Sequence, residues 1–357
     1  MNNALSLIVL NLSLSSYLMA VIVGSDLVPT RERAVVFSAT DNQILAFAVM
    51  QQGFTLKDSN AYVSYNSYFP VSGNVDLNGG ILKLEQDLIF RDPAAFVLGN
   101  VSGNGHTLEL SSGMTQLGVP NNAPSKTFNF DNLTLVLNNN VVLENAHLNF
   151  SGKSVVCGQG HALILGKNSS ITVDKNSLLR LKNLRVRDVN GNNIQCLDDS
   201  GKIFIEDSVW NLNGNYTFAK GSFDVLNQFE VLGENCTFAY KTNQTSSVNS
   251  QGKFRLGRGV IFYYDPASSA KSLIKLIDAS SCLQLDGATL SSNATGMALT
   301  KGKIIVDCKS YIYNNALNDA QALSIGDGKN PTNNATVQWL PAATLEVTKG
   351  RMLYNNV

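Results

Sequence analysis

The residues able to do chemistry are few and scattered. Asp198 and Asp199 are adjacent, and Glu206 and Asp207 follow shortly after. Paired carboxylates are the equipment for cutting a glycosidic bond, one protonating the leaving oxygen while the other activates water or attacks the sugar. Three histidines, His106, His147 and His161, could serve as bases near neutral pH or as metal ligands. Two of them occupy equivalent places in a repeated motif, as a structural position predicts and a unique catalytic base does not. The carboxylates sit among turn signals, where Asp and Glu serve as turn and edge residues. Five cysteines, Cys157, Cys196, Cys236, Cys282 and Cys308, lie 39, 40, 46 and 26 residues apart with no C-x-x-C pair. They read as small apolar fillers, and their odd number leaves a thiol unpaired within a monomer. No catalytic, cofactor-binding or metal-binding residue is therefore assigned.

Composition narrows the partners. Hydrophobic residues make up 44%, enough for a large core, while 27 basic residues balance 27 acidic ones. Zero net charge offers no attraction to nucleic acid or to an anionic membrane surface. Sequons at Asn132, Asn149, Asn168, Asn215, Asn235, Asn243 and Asn293 are expected by chance in a chain so rich in Asn, Ser and Thr. Tyr263, Tyr264, Tyr311 and Tyr313 have two readings, stacking on sugars or packing between strands.

The elements that would position these groups are short strands. Gly followed by a basic residue recurs at Gly152, Gly201, Gly252, Gly302 and Gly350, with spacings of 49, 51, 50 and 48. A second motif, Gly-x-Gly-His-x-Leu-x-Leu, appears at Gly103 to Leu110 and again at Gly158 to Leu165. Between the glycines, apolar residues alternate at period two and Asn or Gly separates the runs, which predicts strands and turns. A period near 50 residues holding five or six strands predicts two coils of a three-sided solenoid, with parallel crossovers of right hand. Leu82, Leu84, Leu163, Leu165, Phe254 and Leu256 would stack as interior ladders, and Asn138, Asn139, Asn140, Asn192 and Asn193 as turn ladders. The expected fold is an all-β, right-handed parallel β-helix over 71–357, with an antiparallel β-sandwich as runner-up. A cap over 36–70 is expected to contain a helix at 41–52, since Thr40 and Gln43 have capping-box spacing before an apolar face. Residues 1–35 hold an apolar stretch from Ala4 to Val23, open to three readings: export signal, membrane anchor, or first strand and cap. An export signal is the expectation.

The run Val71 to Leu84 with Asp87-Leu88, together with the Gly103 to Leu108 marker, resembles bacterial pectin-lyase-like β-helix surface proteins of adhesin and polymorphic outer-membrane type. The resemblance covers the chain from about Phe54 onward, and its motifs specify a fold, not a chemistry. It implies an extracellular or cell-surface structural or adhesive protein, not an enzyme, working without a cofactor. Its partners would be itself, through β-helix ends, or a surface glycan or protein, with membrane contact only through the N-terminal segment. The alternatives are a β-helix polysaccharide hydrolase or lyase and a monomeric glycan-binding rod. Galacturonase-like enzymes of this fold place a histidine after their aspartates, whereas both Gly-His motifs here precede Asp198 and Asp199.

Overall fold

A chain that alternates apolar and polar residues in runs of three to six can bury one face of every run only by stacking runs in register. That is what the computed structural model of the protein shows. It describes residues 81–90, 99–118, 125–314, 316–329 and 334–355, with shorter pieces at 28–29, 35–37, 54–56, 62–65, 75–77 and 96–97. The described residues form a parallel β-solenoid. The helix expected over 41–52 and the apolar segment Ala4 to Val23 lie outside them, and the one helical element described is a 3-10 turn at Asp319–Gln321.

Three sheets run along the molecule. The first has nine strands, from Leu88–Ile89 to Ile274–Leu276. A three-stranded sheet of Met297–Leu299, Leu323–Ile325 and Met352–Tyr354 follows it. The second has fifteen strands, and the third has seven, from Tyr62–Tyr65 to Ile194–Cys196. Parallel pairing also joins Phe54–Leu56 to Val75–Asp76, upstream of the expected start of the solenoid. Among the described residues the one antiparallel pair is Val28–Pro29 with Val35–Phe37.

Register sets the interior. In the first sheet Leu135 stacks on Val156, then Leu181, Ile205, Val225 and Val248, so one turn takes 20 to 25 residues. All six are fully buried, and so are the predicted ladder residues Leu82, Leu84, Leu163, Phe254 and Leu256, with Leu165 nearly so. The 50-residue period is thus about two turns, but it does not mark one face. Gly152 and Gly201 lead into strands of the first sheet, whereas Gly252 lies just before a strand of the second and Gly302 begins the next but one. What recurs is a kind of corner, used wherever the chain turns from one sheet to the next.

Between Trp210 and Tyr264 the interior is aromatic. Phe229 and Phe254 stack with centroids 5.0 Å apart and planes 3° apart, and Tyr240 lies on Tyr264 at 5.8 Å and 7°. Register delivers these ladders, because rings on paired strands one turn apart face each other. The buried hydroxyls are satisfied: Tyr216 donates to the Ile194 carbonyl and Tyr264 to the Ala270 carbonyl, each at 2.6 Å. Burial pushes the Tyr264 phenol up to about 12.

Buried serines close the corners. Ser208 Oγ accepts from the Leu184 N–H and donates to the Leu181 carbonyl of the preceding turn, each at 3.2 Å. Ser310 does the same for the Gly287 N–H and the Leu285 carbonyl, each at 3.1 Å. At Leu184 the hydroxyl supplies a partner to a backbone N–H leaving the ladder, while the Gly287 N–H shares Ser310 with the Asp307 carbonyl. Replacing Ser208 with Ala should therefore cost about 1–3 kcal/mol, the penalty for an unpaired buried group. Phe254→Ala should cost about 3–5 kcal/mol through the void it leaves in the ring stack. Urea unfolding followed by circular dichroism measures both.

Candidate functional site

Three of the four sequence-flagged acids have a structural occupation, and the fourth, Asp199, is exposed beside Asp198. Asp198 Oδ1 accepts from both the backbone N–H and the hydroxyl of Ser200, at 3.0 and 2.7 Å, closing the corner before Lys202–Glu206. Those bonds hold its carboxyl below the ordinary value. Asp278 repeats the arrangement with Ser280, at 2.8 and 2.6 Å, and with the hydroxyl of Ser250, and is likewise held down. Glu206 receives Arg180 Nε at 2.6 Å and lies 3.6 Å from Lys182 Nζ. Asp207 accepts from the Asn227 amide. The Asp198 carboxyl is held low, the opposite of what the proton donor of a glycosidase requires.

The histidines are spread over separate coils. His106 and His161 follow the same turn: Gly105 and Gly160 donate to the Asn132 and Asn183 carbonyls of the next coil, at 2.7 and 2.8 Å. Gln159 and Asn104, which precede those glycines, have φ near 50°. The first turn leads into the first sheet and the second into the second sheet. One local motif is thus reused at two different corners. A Cβ on Gly158 would lie 2.6 Å from the Asn183 oxygen, so the glycine is required by the approach of the next coil. His106 lies 3.5 Å from Asp87, and His147 Nδ1 shares a hydrogen bond with Ser170 Oγ at 2.8 Å.

All five cysteines are free thiols. Cys196, Cys236 and Cys282 are buried, while Cys157 and Cys308 are half-buried. Burial pushes the Cys196 thiol up to about 12, which keeps it protonated and inert. Ligand atoms of Asp286, Asp307 and Cys308 lie within 4.8 Å of one another. Arg255 already bridges Asp286 to Glu230, Gln284 donates to Asp307 at 3.2 Å, and hydrogen bonding to Asp286 holds the Cys308 thiol up. This group is explained as a charge ladder across successive strands of the second sheet.

Asparagine is used differently from expectation. Asn138, Asn139 and Asn140 bond to neighbouring coils without stacking on other turn asparagines: Asn138 donates to the Leu110 carbonyl and Asn139 to that of Ser112. Ala162 N–H donates to Asn140 Oδ1. The amide ladder that forms runs along the outer face of the third sheet, with Asn149 donating to Asn129 at 3.0 Å and Asn129 to Asn100 at 2.6 Å. Three sequon asparagines, Asn132, Asn168 and Asn235, hold the left-handed backbone of corners. Tyr264 is fully buried, as packing between strands requires, whereas Tyr313 is 43% exposed on the outer face.

The concave feature that no sequence motif announced is a groove along the corner where the second sheet meets the third and, from Ser208–Phe218 onward, where the second sheet folds round on itself. Strand Arg185–Gly191 carries two register irregularities against Ser208–Phe218, and Asp188 has φ +61°. The extra residues push this corner outward. Ser208–Phe218 is long enough to pair with Gln228–Leu232 on one side of the corner and Thr237–Tyr240 on the other. Two open clefts of about 660 and 650 Å³ result, and Asn213 lines both. Within the first, Asn193 donates to the Asp188 carbonyl at 2.9 Å, Asn213 to the Asp188 carboxylate at 3.2 Å and Asn192 to Gln195 at 3.1 Å. Arg258 and Glu234 line the second.

The chain defines itself by fold as a parallel β-solenoid. Beyond that, it matches no family model, no curated protein and no solved structure.

Two outcomes follow. The Asp198 carboxyl is held low in the folded state, so its stabilisation is complete above the unfolded carboxylate pKa of about 3.9 and is lost as pH falls below it. Asp278 acts in the same direction. Thermal unfolding between pH 6 and pH 2.5 should show stability falling on acidification, and Asp198→Asn with Asp278→Asn should flatten the slope. Separately, Gly158→Ala should lower the melting temperature by several degrees through collision with the next coil, whereas His161→Gln should leave it nearly unchanged.

Proposed function

We propose that the protein is a structural or adhesive module of right-handed parallel β-helix type, a non-enzymatic protein exported to the cell surface or extracellular space, that associates through the end of its solenoid. The reading extends the resemblance to pectin-lyase-like surface proteins and rests on one observation, the state of the last described coil.

Inward positions of interior coils are almost fully buried. The register carries those positions onto Val337 and Trp339, Leu345 and Val347, Met352 and Tyr354. Of these, Trp339 is 52% exposed, Val347 43% and Tyr354 57%. An apolar row of interior type therefore faces outward along the axis. Among the described residues, strands Ala335–Trp339, Thr344–Lys349 and Met352–Tyr354 pair on one side only. Edges meant to stay single carry charge, proline or a covering loop. Here Ala335–Trp339 has no charged residue or proline, and residues 334–355 hold only Pro341, Glu346, Lys349 and Arg351. A second copy offers the same row and the same edges, so two ends related by a two-fold axis would pair strand with strand and cover both rows.

Light scattering of the purified chain should show the mass rising with concentration toward twice 38.5 kDa. Trp339 emission should shift to shorter wavelength in parallel, with Trp210, which is fully buried, as the unchanged reference. Val347→Lys, at a position with room for the side chain to reach water, should hold the protein at one chain. A mass independent of concentration, or a Val347→Lys protein that associates as before, overturns the reading.

A further inference from the structure

The corner groove calls for its own ligand, independent of any association at the solenoid end. Its walls come from successive coils, represented by Asn168, Asp188, Asn213, Glu234, Arg258 and Asp286. Five steps of about 4.8 Å between stacked strands give it a length of about 24 Å, parallel to the axis. A site this long and shallow suits an extended chain better than a compact small molecule, which wants an enclosed and mostly apolar pocket.

The lining selects the chemistry. Apolar side chains reach the groove only at Leu165, Leu212 and Leu232, too few to seat the alternate side chains of an extended peptide. Its ionisable groups, apart from the one histidine and one thiol, are Lys167 and Arg258 against Asp188, Glu234 and Asp286, and Arg255 already pairs with Asp286. Near-balanced charge gives no purchase on a polyanion, whether nucleic acid or uronic acid polymer. What the groove does supply is primary amides: Asn168, Asn190, Asn192, Asn193 and Gln195 in one cleft, with Asn213 at the junction. A primary amide offers two donors and an acceptor in one plane, so it can engage neighbouring hydroxyls of a sugar ring at once. The contacts to Asp188 fix Asn193 and Asn213 before any ligand arrives, which lowers the ordering cost of binding.

We propose that this groove binds a neutral, linear oligosaccharide lying along the solenoid axis, with the amides around Asn213 as its central contacts. Calorimetric titration with neutral linear oligomers of glucose, xylose, mannose and N-acetylglucosamine, from two to six units, tests it against matched uronate oligomers. At least one neutral series should bind, with affinity rising from the dimer to the hexamer as more of the groove is filled. Asn192 and Asn213 are exposed, so Asn192→Ala with Asn213→Ala should keep the melting temperature while weakening the hexamer by about tenfold or more. Val347→Lys should bind as the unmodified protein does, which separates this site from end association. The proposal is overturned if no neutral series binds at millimolar concentration. It is equally overturned if only uronates bind in a salt-dependent way, or if the double substitution leaves affinity unchanged.

Discussion

Everything in this molecule depends on one constraint, that each inward side chain must lie directly over its counterpart one turn earlier. Parallel strands hydrogen-bond only to their immediate neighbours, so a slip by one residue would turn the whole apolar row outward. The constraint explains why coil length can vary from 20 to 25 residues while the ladder from Leu135 to Val248 stays unbroken. Variation is absorbed at the corners, where left-handed Asn and Gly residues and buried serines complete the hydrogen bonding that the ladder abandons.

The same stacking that orders the interior disciplines the charges outside. Residues on one outward row are forced close to their neighbours on adjacent coils, where like charges would repel. Several rows are complementary, with Arg180 beside Glu206, Lys202 beside Asp224, and Arg255 between Glu230 and Asp286, while Asp286 and Asp307 stack like on like with Arg255 and Gln284 as their neutralising partners. Of the acids that looked like catalytic candidates, Glu206 is consumed in this way, while Asp198 and Asp207 are taken up by Ser200 and Asn227 at the corners. The groove is the exception, because the register break at Asp188 takes its side chains out of the charge rows and binds Asn193 and Asn213 to Asp188 instead.

How much of this was legible in the sequence follows from which forces act locally. Period-two alternation and recurring glycines are local and strong, so strands, parallel stacking and the interior leucines and phenylalanines could be read directly. The phase of the repeat could not. Gly201 and Gly252 carry the same dipeptide signal yet open strands of different sheets, because short coils between them shift the count by one side of the triangle. The serine clasps were missed because Ser208 and Ser310 resemble any polar turn residue until the coil above is in place. The groove was missed because it arises from irregular pairing around residues 186 to 191, a departure from the very pattern used to find the strands.

The terminal coil, finally, has a mechanical meaning. Contacts in a solenoid run only between successive turns, so a pull along the axis applied at Met352–Tyr354 loads one coil's hydrogen bonds before those of the next. Such a molecule yields by peeling, not by collapse of a common core. Each turn released would add 20 to 35 residues of extended chain, the last coils being the longest, about 70–120 Å. Under tension it would behave as a ratcheted tether that lengthens coil by coil.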